Sequence, residues 1–340
     1  MNRKKIIPAA DKKISVTGVG NAIMDVIATV DDGFLSDLKI DKGSMKLICE
    51  QEAEDLSSKL EIKALTSGGS AANTIAGLAF LGNRTAFIGK VKNDRFGLEF
   101  EKDLKKLGVL YKTPKAEGEC PSTACCIVLT TPDSQRTMNT FLGVSCMLSE
   151  KDIDEEIISS SAIIYLEGYL LDQQTARKAV RKTLKLAKKY NAVTALSLSD
   201  TFCVSRNIRF LRDILFGNHI DLCFGNESEI NELCGTGAAG DSIQKLKKYN
   251  FISVITMGES GSTVIENGID IHIKAEKVFS LDSTGAGDMY AAGFLHGLIQ
   301  KKDLYSCARI GSVVAAQIVS QYGARPEKSL LELLSERGLK

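Results

Sequence analysis

Tryptophan is absent from the 340 residues, histidine occurs three times and proline five times. His219, His272 and His296 stand far apart, with no spacing that would place them around a zinc ion. Lys and Arg number 43 against 42 Asp and Glu, a formal net charge of +1. With no charge excess, the chain lacks the electrostatic footprint of a nucleic-acid binder or of a protein held on an anionic membrane. No apolar run approaches the roughly 18–20 residues that span a bilayer, and the richest, such as Ala162–Leu166, are strand-sized. Residues 1–13 begin with basic side chains but have no secretory apolar core, so they are expected to form an N-terminal tail. The nine cysteines are odd in number and contain no Cys-x-x-Cys pair. Reduced thiols and a cytoplasmic location are the simplest expectation. A Walker A sequence, Gly-x4-Gly-Lys-Ser/Thr, is also missing. Any phosphate cradle must therefore be built differently.

A composition of 44% hydrophobic and 25% charged residues is that of an ordinary soluble globular protein. Short apolar runs recur at Ile14–Val19, Thr85–Ile88, Ala162–Leu166, Val193–Leu198, Ile220–Phe224 and Ile252–Thr256, the pattern of strands buried in a parallel sheet. Between them lie helical stripes. Phe96, Phe100, Leu104 and Leu107 share one face, and Thr175–Lys188 and Ser242–Lys248 behave similarly. This alternation predicts an α/β fold with a doubly wound, mainly parallel sheet flanked by helices. Two regions interrupt it: β-like runs near Val26–Val30 and Met45–Cys49, and a hairpin over Thr123–Phe141 turning at Thr131-Pro-Asp-Ser134. The expected division is a core of residues 14–24, 50–110 and 146–340, with a small β lid from 25–49 and 111–145.

The sharpest chemical feature is Asp282-Ser-Thr-Gly-Ala-Gly-Asp288, a glycine turn that opens into the helical stretch Met289–Ile299. Gly285, Ala286 and Gly287 can present bare backbone N–H groups at a helix N-terminus, where the helix dipole also favours an anion. A carboxylate at Asp288 could take the proton of a hydroxyl attacking phosphorus while those donors hold the phosphoryl charge. Asp288 would equally serve as a first-turn acid that stabilises its helix. Asn226-Glu-Ser-Glu229 has the spacing of a capping box, and its oxygens also suit Mg²⁺ held through water. Gly235-Thr-Gly-Ala-Ala-Gly240 spells a dinucleotide fingerprint but follows a helix, not a strand, and reads as a loop.

These motifs resemble the PfkB, or ribokinase-like, family of carbohydrate and nucleoside kinases. Positions 282–288 match its C-terminal signature throughout, and Gly68-Gly-Ser-Ala-Ala-Asn73 is similar to its N-terminal glycine signature. The resemblance runs from about Ile14 to Gly323. It implies ATP-dependent phosphorylation of a small sugar or nucleoside with Asp288 as catalytic base, and Asn21, Asp25, Gly68, Gly69 and Asn73 around the acceptor. Asn226 and Glu229 would position Mg²⁺ through water, and Thr256, Gly258 and Gly261, in a stretch resembling the family's nucleotide-binding turn, would line the ATP site. Arg136 in the lid would reach the transferring phosphoryl group. Some relatives also use a monovalent cation such as K⁺.

Gly20–Asp25, Lys42–Ile48 and Leu198–Cys203 look most like bacterial adenosine-kinase-like members. The expected acceptor is therefore adenosine or a related nucleoside, phosphorylated at the 5′-hydroxyl, with a sugar such as ribose, fructose or a ketodeoxy sugar as the alternative. A non-catalytic sensor on the same fold is the reading of another class. A purine would need an apolar slot, for which Ile23, Met45, Leu47, Phe141 and Phe202 are candidates. Monomer and homodimer both fit the sequence.

Overall fold

In the computed structural model, which describes residues 8–133 and 135–339, fourteen strands alternate with helices. In chain order they are β1 (Ile14–Val19), β2 (Ile23–Thr29), β3 (Met45–Leu47), β4 (Ile62–Gly68), β5 (Thr85–Ile88), β6 (Leu110–Tyr111), β7 (Ala124–Thr130), β8 (Arg136–Phe141), β9 (Ser161–Glu167), β10 (Val193–Ser197), β11 (Leu222–Asn226), β12 (Ile252–Thr256), β13 (Ser262–Glu266) and β14 (Ile269–Ile273). Residues 1–7 of the expected tail and Ser134 of the expected turn lie outside the described residues.

Nine strands form one sheet in the order β14-β13-β12-β11-β10-β9-β1-β5-β6. Every pairing from β12 to β6 is parallel, and β13 and β14 extend one edge antiparallel. β9 shows why the apolar runs read as central strands. All seven of its residues are buried, with Ile163 and Tyr165 facing one core and Ile164 and Leu166 the other. Such two-sided burial needs helices on both faces of the sheet. The helix Gln174–Lys189 supplies one layer: it buries Ala176, Ala179, Val180, Thr183 and Leu184 at helical spacing and turns its lysines outward. This is the doubly wound, mainly parallel α/β sheet flanked by helices that the sequence predicts.

The other five strands form a separate sheet, β3-β8-β7-β2-β4. β7 and β8 pair as an antiparallel hairpin, and β2 joins it parallel to β7. The boundaries read from the sequence need correction at β4, which lies in this small sheet although residues 50–110 were assigned to the core, and at β6, which edges the main sheet. The first half of β4 is exposed, so it carried no continuous apolar signal. The decoy at Gly235 is a helix stop: Gly235 closes the helix Glu227–Cys234 in the left-handed conformation, φ 67°.

Candidate active site

The turn at 282–288 is folded by its own first residue. Asp282 Oδ1 accepts the Thr284 N–H at 2.9 Å and Oδ2 accepts the Gly323 N–H at 2.9 Å. Gly285 then takes φ 76°, and a Cβ there would overlap Ala324. The helix Ala286–Ile299 starts immediately, with Asp288 its third residue. The Ala286 N–H donates to the Ser283 carbonyl at 3.1 Å, which leaves the Gly287 and Asp288 N–H groups without a carbonyl one turn back. A Cβ added to Gly287 would meet nothing within 4 Å, so the turn borders open space.

That space is a cavity of about 330 Å³ lined by Ser70, Asn226, Glu229, Gly285, Gly287 and Asp288. Thr256, Gly287 and Tyr290 also border a second cavity of about 310 Å³, whose walls include Gly258, Gly261, Val278, Ala315 and Val319. A polar chamber thus opens into a more apolar one across the glycine turn. This arrangement suits the phosphates and the base of a nucleotide.

Asp288 is held from the other side of the site. Ser70 Oγ donates to its Oδ1 at 2.7 Å and Asn73 Nδ2 to its Oδ2 at 3.1 Å. Desolvation by the surrounding protein raises its pKa to about 6, against the opposing pull of those two hydrogen bonds and of Arg325, with Asp25 adding to the rise. A carboxyl group poised near neutrality follows from that balance.

Ser70 and Asn73 belong to the helix Ser70–Phe80, which follows the glycine pair. Both glycines are required by close approach. A Cβ at Gly68 would overlap the Asp25 carboxylate, and Gly69, at φ 96°, lies against the Asn21 carbonyl oxygen. Asp25 sits on β2, and desolvation raises its pKa to about 6 despite Arg325 and Arg136. Asn73 Oδ1 is buried without a hydrogen-bond partner, an acceptor left free for a hydroxyl group.

Register places the lid residues. Asp25 pairs with Cys126, Cys126 with Thr140 and Thr140 with Leu47, so these side chains share one face of the small sheet. The same alternation adds Ile23, Met45 and Arg136 to that face and sends Phe141 to the opposite one. There Phe141 lines a separate cavity with Phe96 and Cys125. Met45 and Leu47 are 51% and 55% exposed. Phe202 does not join them: it lies at the start of the helix Thr201–Phe216, is 76% exposed and lines none of these cavities. The neighbouring Cys203 and Val204 take the buried face of that helix.

Arg136 forms an ion pair with Asp282 Oδ2 at 2.6 Å. It therefore braces the 282–288 turn, and reaching a phosphoryl group bound at that turn would require it to leave Asp282. Asn226 and Glu229 form the full capping box, with Glu229 N–H on Asn226 Oδ1 at 2.9 Å and Asn226 N–H on Glu229 Oε2 at 3.1 Å. Desolvation raises the Glu229 pKa to about 7. Both residues line the polar chamber, and their committed oxygens fit a metal held through water better than one bound directly. Among the described residues no group of three or more His, Cys, Asp and Glu could hold a metal ion.

Three contributors were not read from the sequence. Glu167, buried at the end of β9, accepts the Asn21 N–H at 2.7 Å and the Ala71 N–H at 2.8 Å, and desolvation raises its pKa to about 7. A lone acid closing an apolar strand was the available signal. Ser70 lay inside the glycine motif, one residue from those singled out. Arg325 had no signal at all.

The family model described as pfkB family carbohydrate kinase matches residues 38–329. The chain belongs to the PfkB family. Among curated PfkB kinases, the 5-dehydro-2-deoxygluconokinase of Clostridium perfringens is 31% identical over 280 residues, 79% of this chain and 82% of that protein. Among solved structures, a probable sugar kinase from Rhizobium etli superposes with a TM-score of 0.89 at 34% identity, covering 97% of this chain and 100% of that one. The adenosine kinase from Sinorhizobium meliloti gives 0.88 at 36% identity, covering 96% and 99%. PfkB membership makes this chain an ATP-dependent kinase of the sugar and nucleoside class, a class that typically works with Mg²⁺. No helix among the described residues is long and apolar enough to cross a membrane, and all nine cysteines are free.

Proposed function

We propose that the chain transfers the γ-phosphoryl group of ATP to a hydroxyl of a small sugar or of a sugar-bearing nucleoside, in the cytoplasm. The observation that carries this is the joint between the two turns: Ser70 and Asn73, next to the acceptor glycines, hold both oxygens of Asp288 at the open end of the helix. In the reaction, Asp25 and the free Asn73 Oδ1 orient the acceptor. Asp288 takes the hydroxyl proton as the new O–P bond forms and the bond to ADP breaks. The Gly287 and Asp288 amides at the start of the Ala286–Ile299 helix stabilise charge on the equatorial oxygens. Mg²⁺, positioned through water by Asn226 and Glu229, would neutralise phosphate charge.

For the acceptor, the names of the curated relatives favour a ketodeoxy sugar over the adenosine expected from the sequence. Adenosine is the second reading, and one observation of the lid supports it. Met45 and Leu47 stand exposed on the face that carries Asp25, where a flat apolar base would cover them. Arg136 and Arg325, the two cations coupled to Asp25, are both engaged by protein oxygens, which favours an uncharged acceptor. A coupled ADP-release assay with 5-dehydro-2-deoxygluconate, ribose, fructose and adenosine separates the readings. One acceptor is expected to exceed the others by at least about tenfold in kcat/KM, a difference of about 1.4 kcal/mol. Turnover of none of them would defeat the proposal, and repeating the assay with KCl in place of NaCl tests K⁺ dependence.

The raised pKa of Asp288 fixes the sign of the pH response. The base works deprotonated, so kcat/KM is expected to hold above pH 7 and to fall as pH drops through about 6. A profile still flat at pH 5 would contradict Asp288 as the base.

A further inference from the structure

Gly323, Ala324 and Arg325 lie between the two turns of the site. The Gly323 N–H is held by Asp282, and Ala324 fills the space that a Cβ at Gly285 would need. Arg325 faces the opposite way. Its Nη2 donates to the Ser67 carbonyl at 2.5 Å and to Ser67 Oγ at 3.0 Å, and its Nη1 donates to the Ala72 carbonyl at 3.3 Å. Ser67 and Ala72 bracket the acceptor turn Gly68–Ala71. Ser67 is fixed further by Asp103, which accepts both its N–H and its hydroxyl. Gln321 Nε2 holds the Arg325 carbonyl at 2.6 Å. The charged groups facing the guanidinium are Asp25, Asp103 and Asp288.

We propose that Arg325 is a positioning residue that couples the acceptor turn to the donor turn, so that a nucleotide bound at Gly285–Asp288 orders Gly68–Asn73 before the acceptor arrives. A planar guanidinium spans the carbonyls of Ser67 at the end of β4 and Ala72 in the first turn of the helix, whereas a lysine ammonium is a single point of attachment. The segment joins the turns through its backbone: Asp282 fixes one end and Ser67 the other. A shift of the donor turn therefore moves Arg325, and with it both ends of the acceptor turn. The inference rests on the ATP-dependent reading of the donor turn.

The test is amide hydrogen exchange on the full chain, with and without MgADP, in the wild type, Arg325→Lys and Arg325→Gln. In the wild type MgADP is expected to slow exchange in both 284–289 and 68–73, by about tenfold in the latter. In both variants protection by MgADP is expected to persist at 284–289 and to vanish at 68–73, with acceptor KM raised about tenfold and ATP KM within about twofold. Arg325→Lys keeps the charge, so it supplies the readout if Arg325→Gln fails to fold. Protection of 68–73 by MgADP that survives in Arg325→Lys would overturn the coupling, as would a wild type in which MgADP protects 284–289 alone. Absence of MgADP protection at 284–289 in the wild type would instead count against the nucleotide site itself.

Discussion

Asp288→Asn is expected to lower kcat by about three orders of magnitude or more, while the Kd for MgATP changes by less than about threefold. The substitution keeps the shape of the side chain and a partner for Ser70, but it removes the one group placed to accept the hydroxyl proton. Folding is expected to improve. Holding this carboxyl at a pKa of about 6 from an ordinary 3.8 costs the folded state on the order of 3 kcal/mol at neutral pH. For a raised carboxyl pKa the cost is absent below about pH 4 and grows as pH rises through about 6, so the Tm gain of Asp288→Asn is larger at pH 7.5 than at pH 5. A more stable, nucleotide-binding and inactive protein separates loss of chemistry from loss of structure. Near-normal turnover in Asp288→Asn would assign the base elsewhere.

Gly69→Ala is expected to reduce kcat/KM at least about a hundredfold and to destabilise the protein by about 2–4 kcal/mol. Gly69 has φ 96°, and the added methyl group would overlap the Asn21 carbonyl oxygen. Asn21 is tied through Glu167 to Ala71, so the strain reaches the acceptor turn directly. Gly237→Ala is the control: its methyl would meet nothing within 4 Å, and a Tm within about 1 °C of wild type is expected. Thermal unfolding monitored by circular dichroism, with acceptor kinetics, checks both. Wild-type kcat/KM in Gly69→Ala would remove the close-approach account of this turn.

The main sheet was legible because strands buried on both faces are written as unbroken apolar runs, as in β9. The lid was legible where Pro132 and the flanking β-branched residues marked a hairpin and where the short β-like runs near Val26–Val30 and Met45–Cys49 fell on β2 and β3. β4 escaped because half of it faces solvent, and strand alternation, not composition, decided that Phe141 leaves the Asp25 face of the small sheet while Met45 and Leu47 stay on it. Among site residues, those in glycine motifs could be named because backbone geometry restricts them to few residue types. Arg325 could not, and Glu167 offered only a lone acid closing an apolar strand, since each acts on a turn that is distant in sequence and no local spacing records the contact. Arg136 is expected to reach the phosphoryl group as the lid closes, and in this structure its guanidinium is engaged by Asp282.

The most direct test of the central claim is ³¹P NMR of MgATP incubated with each acceptor of the panel and either wild-type protein or Asp288→Asn. A phosphomonoester resonance growing in step with ADP in the wild type, and absent with Asp288→Asn, is the predicted result. Equal monoester formation by the two proteins, or none from any acceptor with the wild type, would contradict it.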